Sequence, residues 1–582
     1  MKIKKIIIQN YRSIKEEEIV FPQSGILALV GPNNAGKSNI LKAVDNILGD
    51  SWFSKDKCET NDYWMKNSKN NISIRIEFSD SSTAKIDFQD GGWPNYKNSF
   101  DKPVWSNDSK SYQKPKDVFP CTFLPANRDL AKNMQFRSYE IMGKIAKAFN
   151  SKIEEQTKIN LKTKFNEIMS ELDSIEGFSD FKKDFTNYFN ELQSDSPYKL
   201  KVDFKAFSPL NYFKTINILA NDSSVSKEFD IDPVELGEGN KSLMLFALIR
   251  SYAKNFKHNA TGILAVEEPE IYLHPQARRH LYQVFKEIVN GSNIQIIYTT
   301  HSPDFISTEE FSSIALVSKD SKEGTKVKIT NEQSLVDFAV NSGVPVEKTN
   351  SSNIKEYYAT TSDSKLNEGF FAKHLILVEG DTEELCIPLL LERLGLNYYS
   401  SGISVIGVEG KNQIPKYWRL FKAFNLKLSV VFDSDSEGNK NIADCFDCDE
   451  ATIVQNIDTI KKIETKSQNL LVFENDFETA FKKNFNNDVQ WDVYEKEAIE
   501  LIQPIMRSGK PDQQKGQITR YITKRMLAEY PDYKPTFIQV LIDEMELSNE
   551  PVLVTPTVED DDFLPVEVQS VDYPPNVEDI PF

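Results

Sequence analysis

One stretch constrains the fold more than any other: Ile26-Leu-Ala-Leu-Val-Gly-Pro-Asn-Asn-Ala-Gly-Lys-Ser-Asn39. An apolar run of strand length enters a glycine-punctuated turn, and the turn opens onto a helical pattern. Gly31, Gly36, Lys37 and Ser38 fit the spacing G-x-x-x-x-G-K-S/T. In such a loop the glycines let backbone N–H groups turn inward around phosphates. Lys37 reaches the β- and γ-phosphates, and the Ser38 hydroxyl ligates Mg²⁺. The helix starting near Lys37 adds its positive N-terminal end. Asn33, Asn34 and Asn39 complete the expected nucleotide contacts. A chance glycine turn is the competing reading; the strand before it and the helix after it weigh against that. The expectation is an α/β chain that binds ATP with Mg²⁺.

Two later segments read as further parts of the same site. Ile263-Leu-Ala-Val-Glu-Glu-Pro-Glu270 is an apolar strand ending in acids. There Glu267 is expected to hold the Mg²⁺ hydration shell and Glu268 to orient or deprotonate the attacking water. A solvated loop is the rival reading. It loses weight because Ile296-Ile-Tyr-Thr-Thr-His301 follows as another apolar strand ending in polar residues, which places His301 near the γ-phosphate. Between these segments and the glycine loop, Glu235-Leu-Gly-Glu-Gly-Asn-Lys-Ser242 precedes an expected helix, Leu243–Tyr252. Gly237 and Gly239 free the backbone, and Ser242 closes the segment.

Together these segments, with Leu273-His-Pro275 and Thr300-His301-Ser302-Pro303, resemble an ABC-type ATPase head. The branch is the one shared by RecF, SMC and overcoming-lysogenization-defect (OLD) proteins. The resemblance implies hydrolysis between two protomers, with Gly237, Gly239 and Ser242 of one capping the glycine loop of the other, and so a homodimer or larger homo-oligomer. Glu267 stands where the family usually has Asp.

A second chemical centre follows. Leu375-Ile-Leu-Val-Glu-Gly-Asp-Thr-Glu-Glu384 starts a strand–helix unit with Glu379 at the strand end and Glu383 one helical turn on. Ser404-Val-Ile-Gly-Val-Glu-Gly-Lys411 ends another strand, and Leu428-Ser-Val-Val-Phe432 runs into Asp433-Ser-Asp435. In parallel α/β sheets, ligands bind beyond the carboxyl ends of the strands. Glu379, Asp433 and Asp435 would project there. Carboxylates crowded together repel unless a divalent cation neutralises them, and oxygen-only ligands suit Mg²⁺ or Mn²⁺. Acids at helix starts in an ordinary α/β domain are the plainer alternative. The pattern resembles the TOPRIM domain of topoisomerases, primases and OLD-family nucleases. That resemblance adds Asp476 and Glu478, after Leu470-Leu-Val-Phe473, as ligands of a second metal. It also implies a lysine near Gly-Lys510-Pro-Asp-Gln-Gln-Lys515-Gly that stabilises the scissile phosphate. Lys515, before an expected helix Gln517–Tyr530, is preferred over Lys510; a solvated lysine is the rival. Cys445-Phe-Asp-Cys448 has no second Cys/His pair and makes no convincing zinc site.

Domain limits follow from these motifs: an ATPase domain over 1–341, a polar linker over 342–368, a TOPRIM domain over 369–548 and a tail over 549–582. Residues 137–195 repeat apolar residues at helical spacing and read as a helical insert, whose seam either packs on its own domain or makes a dimer contact. The tail carries eight acidic residues from Pro551 onward and no Lys or Arg, so it accounts for much of the net charge of −18. Any basic surface for duplex DNA must then be a local patch. The tail ends Val577-Glu-Asp-Ile-Pro-Phe582 and resembles the acidic tip of bacterial single-stranded-DNA-binding proteins. That tip docks on partner proteins; a plain solubilising tail is the other reading. No apolar run approaches a membrane span, and five cysteines in a long chain suit a reducing cytoplasm.

The order ATPase head, helical insert, TOPRIM matches the OLD family, including Gabija-type nucleases with a helicase partner. It implies an ATP-binding, metal-dependent DNA endonuclease in anti-phage defence, with ATP gating cleavage. Two other readings stay open: a RecF-like DNA-binding repair ATPase, and an ATP-gated scaffold that recruits a host repair protein through the tail.

Overall fold

The computed structural model describes residues 1–545 apart from 52, 90, 98–114, 128–139, 176, 193–215, 217, 222–229, 257–259, 360–363, 436 and 503–513. Lys510 and the tail, with its terminal Val577–Phe582, therefore lie outside the described residues.

The first sheet grows around β3 (Ile26–Val30), whose five apolar residues are all buried. Before it come β1 (Ile3–Tyr11) and β2 (Ile14–Val20), an antiparallel hairpin. After it come β4 (Ser73–Phe78), β5 (Thr83–Asp87), β6 (Asn95–Lys97) and β7 (Cys121–Leu124). A two-stranded ribbon, β8 (Ala220–Asn221) and β9 (Asp230–Ile231), stands apart. β10 (Thr261–Glu267), β11 (Asn293–Thr299), β12 (Ile314–Asp320) and β13 (Gly324–Ile329) complete the large sheet. Its order is β6-β5-β4-β1-β2-β13-β12-β3-β11-β10-β7. The run β12-β3-β11-β10-β7 is parallel, and the rest is antiparallel.

Period-two alternation explains the two cores. Leu27, Leu29, Ile263, Ala265 and Ile297 point to one face, where the glycine-loop helix Lys37–Leu48 packs with Ile40, Leu41, Val44 and Ile47. Ile26, Ala28, Val30, Leu264, Val266 and Ile296 point to the other, under helices Glu238–Asn255 and Pro275–Gly291. A strand covered on both faces reads as a continuous apolar run, as β3 does. Gly31 ends it at φ 140°, and a Cβ there would run into the Val317 carbonyl oxygen, so the turn requires glycine.

The second sheet contains β14 (His374–Val378), β15 (Ile403–Gly407), β16 (Leu428–Asp433), β17 (Ile460–Ile463) and β18 (Leu470–Phe473), in the order β15-β14-β16-β18-β17. All but β17 run parallel. Leu375, Leu377, Val430 and Phe432 on one face join the core that also holds Phe305, Ile306 and Phe311 of the ATPase part. The opposite face packs on helices Asp381–Arg393 and Lys515–Glu529. One apolar core thus runs from the first sheet into the second.

Residues 342–368, the expected polar linker, contain helices Ser351–Ala359 and Ser364–Glu368, and Ile354, Tyr358 and Leu366 are buried. Each of these short helices offers the core only one or two apolar residues, too few to set up a visible period. The helix after Gly237 begins at Glu238, so Gly239 and Ser242 lie within it and not before it. The helix expected from Gln517 begins at Lys515 itself. In the insert, helix Ile141–Lys152 buries Ile141, Met142 and Ala146. In the stretch that follows, Ile159, Ile168, Phe181 and Phe185 are exposed. Among the described residues no helix is long and apolar enough to cross a membrane.

Candidate functional site

The nucleotide loop has the backbone its sequence demands. Gly36 sits at φ 109° and Asn34 at φ 62°, conformations that turn successive N–H groups to one side. Lys37 is buried, and its ammonium donates to the carbonyls of Gly31 (2.8 Å) and Pro32 (2.9 Å). Burial pushes its pKa down to about 8, against the pull of Glu268 and Glu270. Asn33, Asn34 and Ser38 are exposed at the loop. Asn39 instead donates to Ser13 Oγ (2.8 Å) and accepts from Arg12 (3.4 Å), which ties the loop's helix to the β1–β2 turn.

Strands β3, β11 and β10 are adjacent and parallel, so their carboxyl ends share an edge. Glu268 follows β10 in a left-handed conformation (φ 43°), and its N–H donates to the Thr299 carbonyl (3.0 Å). A non-glycine residue held there is strained, as residues at functional sites often are. Its carboxylate lies 3.9 Å from His301 Nε2. His301 is shifted below its usual value by burial and by the Lys37 charge. Glu267 turns toward the loop after β7 and accepts from the Ala126 N–H (3.3 Å). Glu270 carried no assigned role in the sequence, yet it is the buried acid of the group. It accepts from Thr300 Oγ1 (2.7 Å) and His301 N–H (2.8 Å), while its Oε2 has no partner; burial raises its pKa. Gly237 is exposed at a helix start, and Gly239 lies against the Tyr272 carbonyl. Ser242 is 1% exposed, within helix Glu238–Asn255.

At the carboxyl edge of the second sheet the acids converge. Glu379 follows β14, and its Oε2 accepts from the Asp433 N–H at the end of β16 (3.4 Å). Glu383, on the first turn of helix Asp381–Arg393, is 3% exposed and caps the Gly380 N–H (3.2 Å). Asp476 and Glu478 follow β18. Lys515 Nζ bridges them at 2.9 and 2.7 Å, and Thr519 Oγ1 donates to Glu478 (3.2 Å). Gly516 makes this possible. A Cβ on it would stand 3.2 Å from Asp381 Cβ and 3.3 Å from Thr382 N, so the lysine helix reaches the acids only by close approach.

Electrostatics tie the group together. Burial, then Glu383, Glu379, Glu478 and Asp476, raise the Asp433 carboxyl far above its ordinary value. Burial, with the charges of Glu478 and Glu379, raises Glu383. Burial pushes Asp476 up, but bonds from Thr479 and Lys515 outweigh it and leave it low. The Asp435 side chain is 56% exposed and pairs with Lys411, a 3%-exposed lysine after β15 that also donates to the Asp435 carbonyl (2.9 Å) and Asn439 Oδ1 (3.0 Å). The Asp435 and Lys411 charges both bear on Glu379. Lys411 follows Gly410 after β15, a position at which a lysine reads as solvated in sequence.

Among the described residues no three acidic, His or Cys side chains are preassembled around one point as a ligand set. The chemistry nonetheless fits a hard divalent cation. The donors are all carboxylate oxygens, and Asp433 Oδ1 is buried with no hydrogen-bond partner. One consequence concerns stability. A raised carboxyl holds its proton in the folded chain at a pH where the unfolded chain has released it. Its stabilisation is complete below the ordinary carboxylate range and is lost as pH rises through the folded value. In chelator, Asp433→Asn is expected to unfold at a higher temperature than the unaltered protein, with a gap that widens as pH rises. A thermal unfolding series over pH that shows a constant or reversed gap would count against the cluster.

Two family models match the chain. AAA ATPase domain covers residues 1–185 and 102–306. Overcoming lysogenization defect protein-like, TOPRIM domain, covers 370–435. The OLD nuclease of Thermus scotoductus is 25% identical over 463 residues, 74% of this chain and 82% of the relative. The Old nuclease of Escherichia phage P2 is 22% identical over 474 residues, 75% of this chain and 78% of the relative. Endonuclease GajA of Bacillus cereus is 24% identical over 269 residues, 42% of this chain and 37% of the relative. Among solved structures, an SMC head bound to the C-winged helix domain of ScpA aligns at TM-score 0.37 and 17% identity, over 56% of this chain and 97% of that one. The first model spans more than half of the chain, with the glycine loop, Glu268 and His301 inside it, and the second begins just before Glu379. The chain therefore belongs to the AAA ATPase family described by that model, in the form that carries an OLD-like TOPRIM domain behind the ATPase.

Proposed function

We propose that the protein is a divalent-cation-dependent DNA endonuclease whose cleavage of duplex DNA is gated by ATP bound in its first domain. The observation that carries this reading is the convergence of Glu379, Glu383, Asp433, Asp476 and Glu478 on one sheet edge, with Lys515 among them. The relatives named as nucleases support the same chemistry. These five acids would hold Mg²⁺ or Mn²⁺. When bound, such a cation supplies Lewis-acid charge and a more acidic water for phosphodiester hydrolysis. Lys411 fixes the loop after β16 by gripping Asp435. Lys515 presents an ammonium that burial opposes but Glu478 and Asp476 keep charged, suited to a scissile phosphate.

In the first domain, Lys37 would hold the phosphates, and Ser38 and Glu267 would hold the Mg²⁺ of the nucleotide. Glu268 would orient the attacking water, and His301, 3.9 Å from that carboxylate, would sense the γ-phosphate. The protein acts as a homodimer or larger homo-oligomer in the cytoplasm, in anti-phage defence, alone or with a helicase. The test is a supercoiled-plasmid assay. Nicking in Mg²⁺ or Mn²⁺ that stops in chelator is expected. ATP hydrolysis without cleavage of any duplex in either metal would favour a repair ATPase with an inert second domain.

A further inference from the structure

The segment expected as a linker touches chain next to both sites. His301 ends the strand–loop unit that faces the nucleotide, and the chain then turns through Pro303–Phe305. Asn367, 2% exposed, donates from one amide nitrogen to two carbonyls of that turn, Pro303 (3.0 Å) and Ile306 (3.0 Å). Two residues earlier on the same short helix, Lys365 pairs with Glu384 at 2.6 Å. Glu384 adjoins Glu383 on the first turn of helix Asp381–Arg393. One residue after Asn367, Glu368 accepts from Ser404 Oγ (3.4 Å), on the strand beside β14. The chain then passes through fully buried Phe370 into β14, which delivers Glu379. A movement of residues 301–306 therefore has two routes to the acids. One is covalent, through Phe370 and β14. The other runs across the Lys365–Glu384 pair.

Apolar packing alone would hold the two parts together, and it does so nearby. A buried amide directed at two carbonyls adds geometry: those bonds are lost if the turn and the helix move independently. We propose that helix Ser364–Glu368 is the strut through which nucleotide occupancy at His301 reaches the acid cluster, with Asn367 and Lys365 as its positioning residues. The inference rests on the gated-nuclease reading above and gives that gating a route.

The experiment uses the full-length protein and plasmid nicking with no nucleotide, with ATP and with a non-hydrolysable ATP analogue, alongside ATP hydrolysis. Asn367→Leu removes the two bonds. Lys365→Met, at a partly exposed site, removes the second route with less risk to folding. Both are expected to keep nucleotide-free nicking and ATP hydrolysis, while the nucleotide's effect on nicking shrinks about fivefold or more, the lower end of ordinary coupling between sites. If the unaltered protein nicks at a rate indifferent to nucleotide, the gating reading fails and the strut with it. If the unaltered protein responds and both variants respond equally, the strut alone is overturned. Loss of nucleotide-free nicking or of ATP hydrolysis in both variants overturns it too, because the residues would then be structural.

Discussion

Asp433→Asn is expected to abolish plasmid nicking, with a loss of about a thousandfold or more, the rate equivalent of roughly 4 kcal/mol of charge stabilisation. Asp433 is the acid on which the others bear most. It ends the central strand, its backbone N–H holds Glu379, and its Oδ1 has no protein partner. The amide keeps the shape but offers a cation one neutral oxygen in place of a carboxylate. The substitution also replaces a group whose ionisation burial and four neighbouring acids disfavour. The variant should therefore be folded, no less stable in chelator, and inactive. That combination separates loss of a ligand from loss of structure. Nicking within about tenfold of the unaltered protein, at saturating Mn²⁺, would remove Asp433 from the chemistry.

Lys37→Ala is expected to lower ATP hydrolysis by about a hundredfold or more, since positioned cations carry most of phosphoryl-transfer catalysis. The side chain is held in reserve against two loop carbonyls, with its pKa brought down to about 8. A lysine whose pKa falls on folding opposes the folded state at neutral pH, and that opposition fades as pH rises through the window from 8 to the ordinary value. Loss of the ammonium is thus not itself a folding defect. Thermal unfolding beside a hydrolysis assay checks this. In the gated reading, the variant's nicking also ceases to respond to ATP while nucleotide-free nicking persists. An unchanged nucleotide response would break the link between the domains.

Much of both centres was legible because their residues lie at strand ends. A short apolar run that stops at Gly31, Glu267, Thr300, Glu379 or Asp433 announces a parallel strand and the edge where its last side chains meet. What stayed hidden depended on contacts between distant segments. Lys411 became visible only as a buried ammonium reaching Asp435 across the sheet. Gly516 and Thr519 matter through the approach of one helix to another, which sequence spacing does not encode. Ser342–Glu368 is polar by composition, and the few apolar residues that anchor it, Ile354, Tyr358 and Leu366, follow no sustained period.

The central claim is that side chains from β14, β16 and β18 gather divalent cations at one edge. Crystals soaked in Mn²⁺ test it most directly, through anomalous difference density. The account predicts peaks bounded by Glu379, Glu383, Asp433, Asp476 and Glu478, which disappear in Asp433→Asn. Mn²⁺ found only beside Ser38 and Glu267, with the second sheet's acids bare, would contradict it.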